Sequence, residues 1–88
     1  MDKLGKLRDS IDGIDEEIVR LMAIRMDVVR KIGAQKQQSN RAVEDRGREK
    51  IVLELWRENA EKYDVPADAA IGVAEILIST SKKEQEKM

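Results

Sequence analysis

The sequence predicts an all-α protein of three helices, the first much the longest, whose packing calls for a second copy of the same chain. Three observations carry this. Apolar residues between Leu4 and Ile32 recur at alternating intervals of three and four, which places them on one face of a helix with a coiled-coil-like contact. Polar or turn-forming stretches at residues 37–40 and 63–66 interrupt the pattern twice. Nowhere does the chain show the apolar–polar alternation of a strand or the turn signal of a hairpin.

The first helix is expected from near Asp2 to about Gln38, where Gln37, Gln38, Ser39 and Asn40 lose the apolar period. Its seam is Leu4, Leu7, Ile11, Ile14, Ile18, Leu21, Val28 and Ile32, and the seam position between Leu21 and Val28 is Arg25. A guanidinium stays charged at any ordinary pH, so one set among aliphatic groups calls for an anion. Length adds a second constraint. A helix of about 33 residues is about 50 Å long at about 1.5 Å per residue, whereas a compact globule of this size has a radius of gyration of only about 12 Å. One chain cannot wrap such a rod, and a homodimer built on paired long helices is expected. Gly5 and Gly13 weaken the early turns by about 1 kcal/mol each relative to alanine. The acids Asp9, Asp12, Asp15, Glu16 and Glu17 lack the offsets of a calcium loop, and the aliphatic seam runs through them, so they form a solvated face.

Asp45 is placed to cap a second helix running to about Lys62, with Val52, Leu55, Trp56, Ala60 and Tyr63 as its apolar stripe. Arg48 and Glu49 extend that stripe toward the helix start. Pro66 suits the first turn of a third helix, on which Ile71, Ala74 and Ile78 continue into Ser81 and Gln85, so the stripe turns hydrogen-bonding at its end. The last residues, Glu86 to Met88, are expected to fray.

Composition narrows the chemistry. Eighty-eight residues suit one domain over residues 1–88, small enough to favour oligomerisation. Lys and Arg total 17, Asp and Glu 18, and this balance, with one Trp, one Tyr and no Phe, argues against a nucleic-acid binder. The absence of Cys and His removes disulfides, thiolate or imidazole metal sites, cysteine nucleophiles and histidine triads. No segment approaches the roughly 20 apolar residues of a membrane span, and the amino terminus lacks a signal-like apolar run. A cytoplasmic protein without a membrane partner is the expectation.

Polar groups enter the packing stripe of every helix: Arg25 in the first, Arg48 and Glu49 in the second, Ser81 and Gln85 in the third. Lys36 follows Arg25 by eleven residues, a rotation within about 20° of three full turns, so the two share a face. Arg8 stands about 25 Å along the axis from Arg25 and reaches the same site only from a partner chain. Any one of these charges alone is commonly a register device or a structural ion pair. Together, on rigid helices, they suit a small polyanion.

In order and spacing these residues resemble the all-helical chorismate mutases of the intertwined dimeric type, over nearly the whole chain. The resemblance lies in Leu7-Arg8 with Ile11, Ile14 and Asp15-Glu16-Glu17-Ile18, in Leu21-Met22-Ala23-Ile24-Arg25, in Lys31-Ile32-Gly33 leading to Lys36, in Val43-Glu44-Asp45 with Arg48-Glu49, and in Ser81 with Gln85. It implies rearrangement of chorismate to prephenate in aromatic amino-acid biosynthesis, with no metal or cofactor. By position, Arg8 would cross the dimer and join Arg25 on the substrate's carboxylates. Lys36 and Gln85 would meet the ether oxygen. Glu49 would hold the ring hydroxyl, helped by the region of Asp45 and Arg48, and Ser81 would lie near the ring carboxylate. Ala42 stands where the family often has proline, and Gly47 occupies a helix's first turn, at a cost in stability.

Two rivals frame the test. An isochorismate-pyruvate lyase looks similar in fold and grips a related dianion, although Lys36, Glu49 and Gln85 favour the mutase. A non-catalytic helical dimerisation module would use Arg25 only to fix helix register.

Overall fold

The structure is a computed structural model describing residues 2–88. Its elements are α1 (Lys3–Gln38), α2 (Arg46–Lys62) and α3 (Ala67–Glu86), with no strand among the described residues. Asp2 caps α1 by accepting from the Gly5 amide at 2.6 Å, and Asp45 caps α2 by accepting from the Arg48 amide at 3.0 Å. Pro66 sits one position outside α3, as its N-cap, with extended ψ and no side-chain hydrogen bond.

Helices α1 and α2 end the same way. Asn40 and Asp64 adopt positive φ of 55° and 56°, and the next amide reaches back past the helix end, Arg41 N to Lys36 O at 2.7 Å and Val65 N to Ala60 O at 2.8 Å. Paired with Asn40 N to Gln37 O and Asp64 N to Glu61 O, these are the two bonds of a Schellman ending. Asn and Asp tolerate the left-handed region better than other non-glycine residues. The reversal after α1 returns the chain so that Val43 and Asp45 come alongside Lys36.

Helix α3 is the centre of the molecule. It packs on both α1 and α2, whose backbones do not approach one another, and its small residues allow this, since Ala74 is fully buried and Ala70 nearly so, with Leu77 buried beside them. Arg30 of α1 adds a bridge to Glu84 of α3 at 2.9 Å. At Gly33 a methyl group would fall 3.1 Å from Cγ of Gln85 and 2.7 Å from Sδ of Met88, so the absence of a side chain there lets the end of α3 lie close against α1. The carboxyl end therefore packs on α1 through Met88 rather than fraying fully. The expected stripe of α2 is corrected at two positions: Tyr63, at the C-cap, is 69% exposed and Leu55 is also exposed, while Leu53 turns partly inward.

The buried apolar core is small: Val29, Ala60, Ala70, Ala74 and Leu77, with no large side chain fully enclosed. Along α1 the seam is open, with Leu7, Ile11 and Ile14 all more than half exposed. The chain measures 57 × 25 × 16 Å with a radius of gyration of 16.3 Å, against about 12 Å for a globule of its length. The overhanging rod expected from the apolar period is thus present.

Candidate active site

The residues singled out in sequence meet, with one exception, in a cleft between the second half of α1, the start of α2 and the end of α3. Arg25, Lys36, Asp45, Arg48, Glu49, Ser81 and Gln85 all line it. The exception is Arg8, exposed near the far end of α1 and outside this chain's cleft.

Arg25 and Ser81 form the first pair. The guanidinium Nη1 donates to Ser81 Oγ at 2.7 Å and lies 3.5 Å from the Leu77 carbonyl. Ser81 in turn donates its proton to Leu77 O at 2.7 Å, so its hydroxyl is committed at both ends and orients the arginine. Partial burial pulls the Arg25 guanidinium below its ordinary value. No described carboxylate lies within 4.0 Å to offset that cost. A half-buried cation held only by neutral oxygens retains its appetite for an anion.

Lys36 and Gln85 form the second pair. Lys36 Nζ donates to Val43 O at 2.7 Å and to Gln85 Oε1 at 3.0 Å, while Gln85 Nε2 donates to Val29 O at 3.0 Å. Because an ammonium only donates and a carbonyl only accepts, these contacts fix which way the buried amide points. Each residue keeps one N–H without a described partner, two donors on adjacent groups in one cleft. Lys36 likewise has no described carboxylate within 4.0 Å.

Glu49 supplies the acceptor. Its Oε2 is buried without a hydrogen-bond partner, and its Oε1 lies 3.4 Å from Lys82 Nζ. Asp45 serves chiefly as the cap that starts α2 and so fixes Glu49 one turn later. Arg48 is exposed at the rim. Val29, Ile32, Val43, Val52 and Ile78 supply apolar walls. Sequence reading missed Lys82, although its spacing of four from Ile78 and eight from Ala74 marks the same helix face. A larger hollow, lined by Ile18, Leu21, Met22, Trp56, Val73, Ile76 and Leu77 with Arg25 at its edge, is almost wholly apolar and has no converging polar set. It suits a helix better than an anion. Among the described residues no cluster of three or more acidic side chains is arranged to hold a metal ion.

A cleft lined by three cations that no described carboxylate meets, Arg25, Lys36 and at the rim Arg48, with two spare donors and the Glu49 carboxylate, can grip a small molecule bearing carboxylates and a hydroxyl. Comparison with known proteins points the same way. The chain is 29% identical over 87 residues to a chorismate mutase of Methanocaldococcus jannaschii, covering 99% of this chain and 88% of that protein. It is 33% identical over 81 residues to a bifunctional chorismate mutase/prephenate dehydratase of Buchnera aphidicola subsp. Acyrthosiphon pisum, covering 92% of this chain but 21% of that protein. It is also 35% identical over 68 residues to a T-protein of Haemophilus influenzae, 77% of this chain and 18% of that one. The chain thus spans about a fifth of the two longer relatives. The sequence model of chorismate mutase type II matches residues 7–86, and the chain belongs to that family.

Proposed function

We propose that this chain is a chorismate mutase, converting chorismate to prephenate in aromatic amino-acid biosynthesis. The observation that carries the reading is Arg25, half-buried in the cleft and hydrogen-bonded only to neutral oxygens. A structural ion pair would be met by a protein carboxylate, and among the described residues none lies within 4.0 Å of Arg25, which leaves it open to the carboxylate of a ligand.

The reaction is unimolecular: one C–O bond breaks as one C–C bond forms, and no proton or electron leaves the molecule. The protein's work is to select the compact conformer and to stabilise charge as it separates. Arg25 binds one carboxylate, with Ser81 holding the guanidinium in place. The free N–H groups of Lys36 and Gln85 meet the ether oxygen as negative charge develops on it. A charged donor aimed at that atom in a water-poor cleft contributes on the order of 100- to 1000-fold in rate. Glu49 accepts from the ring hydroxyl, while Arg48 and Asp45 flank it. None of these steps calls for a metal or cofactor.

The working unit in this proposal is a homodimer in which Arg8 of one chain completes the cleft of the other. Support comes from the exposed α1 seam and the apolar hollow beside Trp56, which together offer a helix-wide surface. No described helix is long and apolar enough to cross a membrane, and we place the protein in the cytoplasm, without membrane or nucleic-acid partners. Incubating the purified protein with chorismate, and separately with isochorismate, tests the reading by product identity. Prephenate from chorismate is the expected result; pyruvate release from isochorismate alone would assign the lyase reaction instead.

A further inference from the structure

We propose that Lys82 is a positioning residue for the mutase reaction, holding the Glu49 carboxylate in one orientation at the cleft wall, where it meets the substrate hydroxyl. The proposal rests on the reading of Glu49 given above and adds a residue to it. Lys82 lines the cleft, yet it differs from Arg25 and Lys36 in one respect. Its Nζ lies between two carboxylates, 3.4 Å from Glu49 Oε1 and 3.7 Å from Glu44 Oε1. Its charge is already answered within the protein, so it is poorly placed to bind an incoming carboxylate.

What it does instead follows from the two oxygens of Glu49. Lys82 faces Oε1, and Oε2 is the buried oxygen without a partner. The terminal torsion of a glutamate is broad and nearly two-fold, and only an asymmetric contact distinguishes the two oxygens. Lys82 supplies that asymmetry. Its second contact reaches Glu44 in the loop between α1 and α2, and Glu44 is 3.5 Å from Arg46. The same loop holds Val43, whose carbonyl anchors Lys36. One ammonium on α3 thereby braces the acceptor on α2 and the loop beneath the catalytic lysine, with Glu49 and Lys82 about a quarter and a third exposed.

A double-mutant cycle separates positioning from direct binding. kcat and KM are measured for the wild-type protein, K82M, E49Q, K82M/E49Q and K82R, each checked for cooperative melting. Positioning predicts that K82M lowers kcat/KM about tenfold in the wild-type background, that the same change costs less than about twofold in the E49Q background, and that K82R recovers most of the loss. Equal losses in both backgrounds would mean that Lys82 touches the substrate itself, and an unaffected K82M would mean that it has no role; either overturns the proposal. Should K82M fail to fold, Lys82→Gln completes the same cycle. A wild-type protein that turns over no chorismate overturns the assigned function and this inference with it, whereas active wild type with equal losses overturns only the inference.

Discussion

Gly33 shows how a residue without a side chain can govern one proposed to act on the substrate. Gln85 reaches the Val29 carbonyl because nothing stands between the end of α3 and the last turns of α1. A Cβ at Gly33 meets two neighbours. The Met88 sulfur is a flexible tip and moves at little cost, but Gln85 Cγ, at 3.1 Å, has to give by a few tenths of an ångström. Gly33→Ala is therefore expected to lower kcat by roughly tenfold with KM changed less, because a displaced Gln85 loses a donor that matters most in the transition state. Steady-state kinetics at matched folded fraction checks this, and unchanged kcat would show that the close approach is unimportant. Arg25 and Lys36 were legible because eleven residues bring a helix back to the same side. The orientation of Gln85 was not, since it depends on the gap between two helices, which no single-helix period encodes. Lys82 was hidden for a related reason: it sits in a run with Lys83 and Glu84, and a charge run reads as solvated surface unless its register with Ala74 and Ile78 is followed.

At the scale of elements, the helix ends decide where the site's groups arrive. The Schellman reversal at Asn40 sends the chain back past Lys36, and its counterpart at Asp64 lets α3 return along α2. The two breaks were legible as polar or proline-containing stretches. The left-handed residues within them were not, because the usual glycine signal is absent from both. That also identifies a site for stabilisation. Asp64 carries a Cβ at a φ of 56°, and Asp64→Gly relieves its strain at some cost in unfolded-state entropy, for a net gain of about 0.5–1 kcal/mol. A rise in melting temperature with turnover unchanged is the expected outcome, since Asp64 lies outside the cleft; a fall would mean that the carboxylate supports the turn in another way. Tyr63 shows the limit of periodicity at a helix end. Its stripe position is apolar by spacing, but the helix stops there and the ring turns to solvent.

At the scale of the whole molecule, one chain carries more apolar surface on α1 than its own helices cover. Length and period alone announced this, and the 57 Å extent and open seam agree with it. What the sequence did not reveal is that the single-chain core consists mostly of small residues, so the proposed dimer has to supply much of the large-side-chain burial. Two consequences follow. Sedimentation at micromolar concentration is expected to give twice the mass of the 10.0 kDa chain. Mixing Arg8→Ala and Arg25→Ala chains, each inactive alone, is expected to restore up to about a quarter of wild-type activity, because statistical pairing makes half the dimers mixed and each mixed dimer has one intact site. No recovery after verified exchange of subunits would place Arg8 outside the site.

The central claim is that Arg25 has no counter-ion among the described residues so that a substrate carboxylate can pair with the free Nε and Nη2 edge of its guanidinium. Its most direct test is the initial rate of chorismate loss by Arg25→Lys beside the wild-type protein, since this change keeps the charge and removes the fork. A fall of about 100-fold or more in kcat/KM, with the folded state retained, is predicted. A rate equal to that of the wild type would contradict the account.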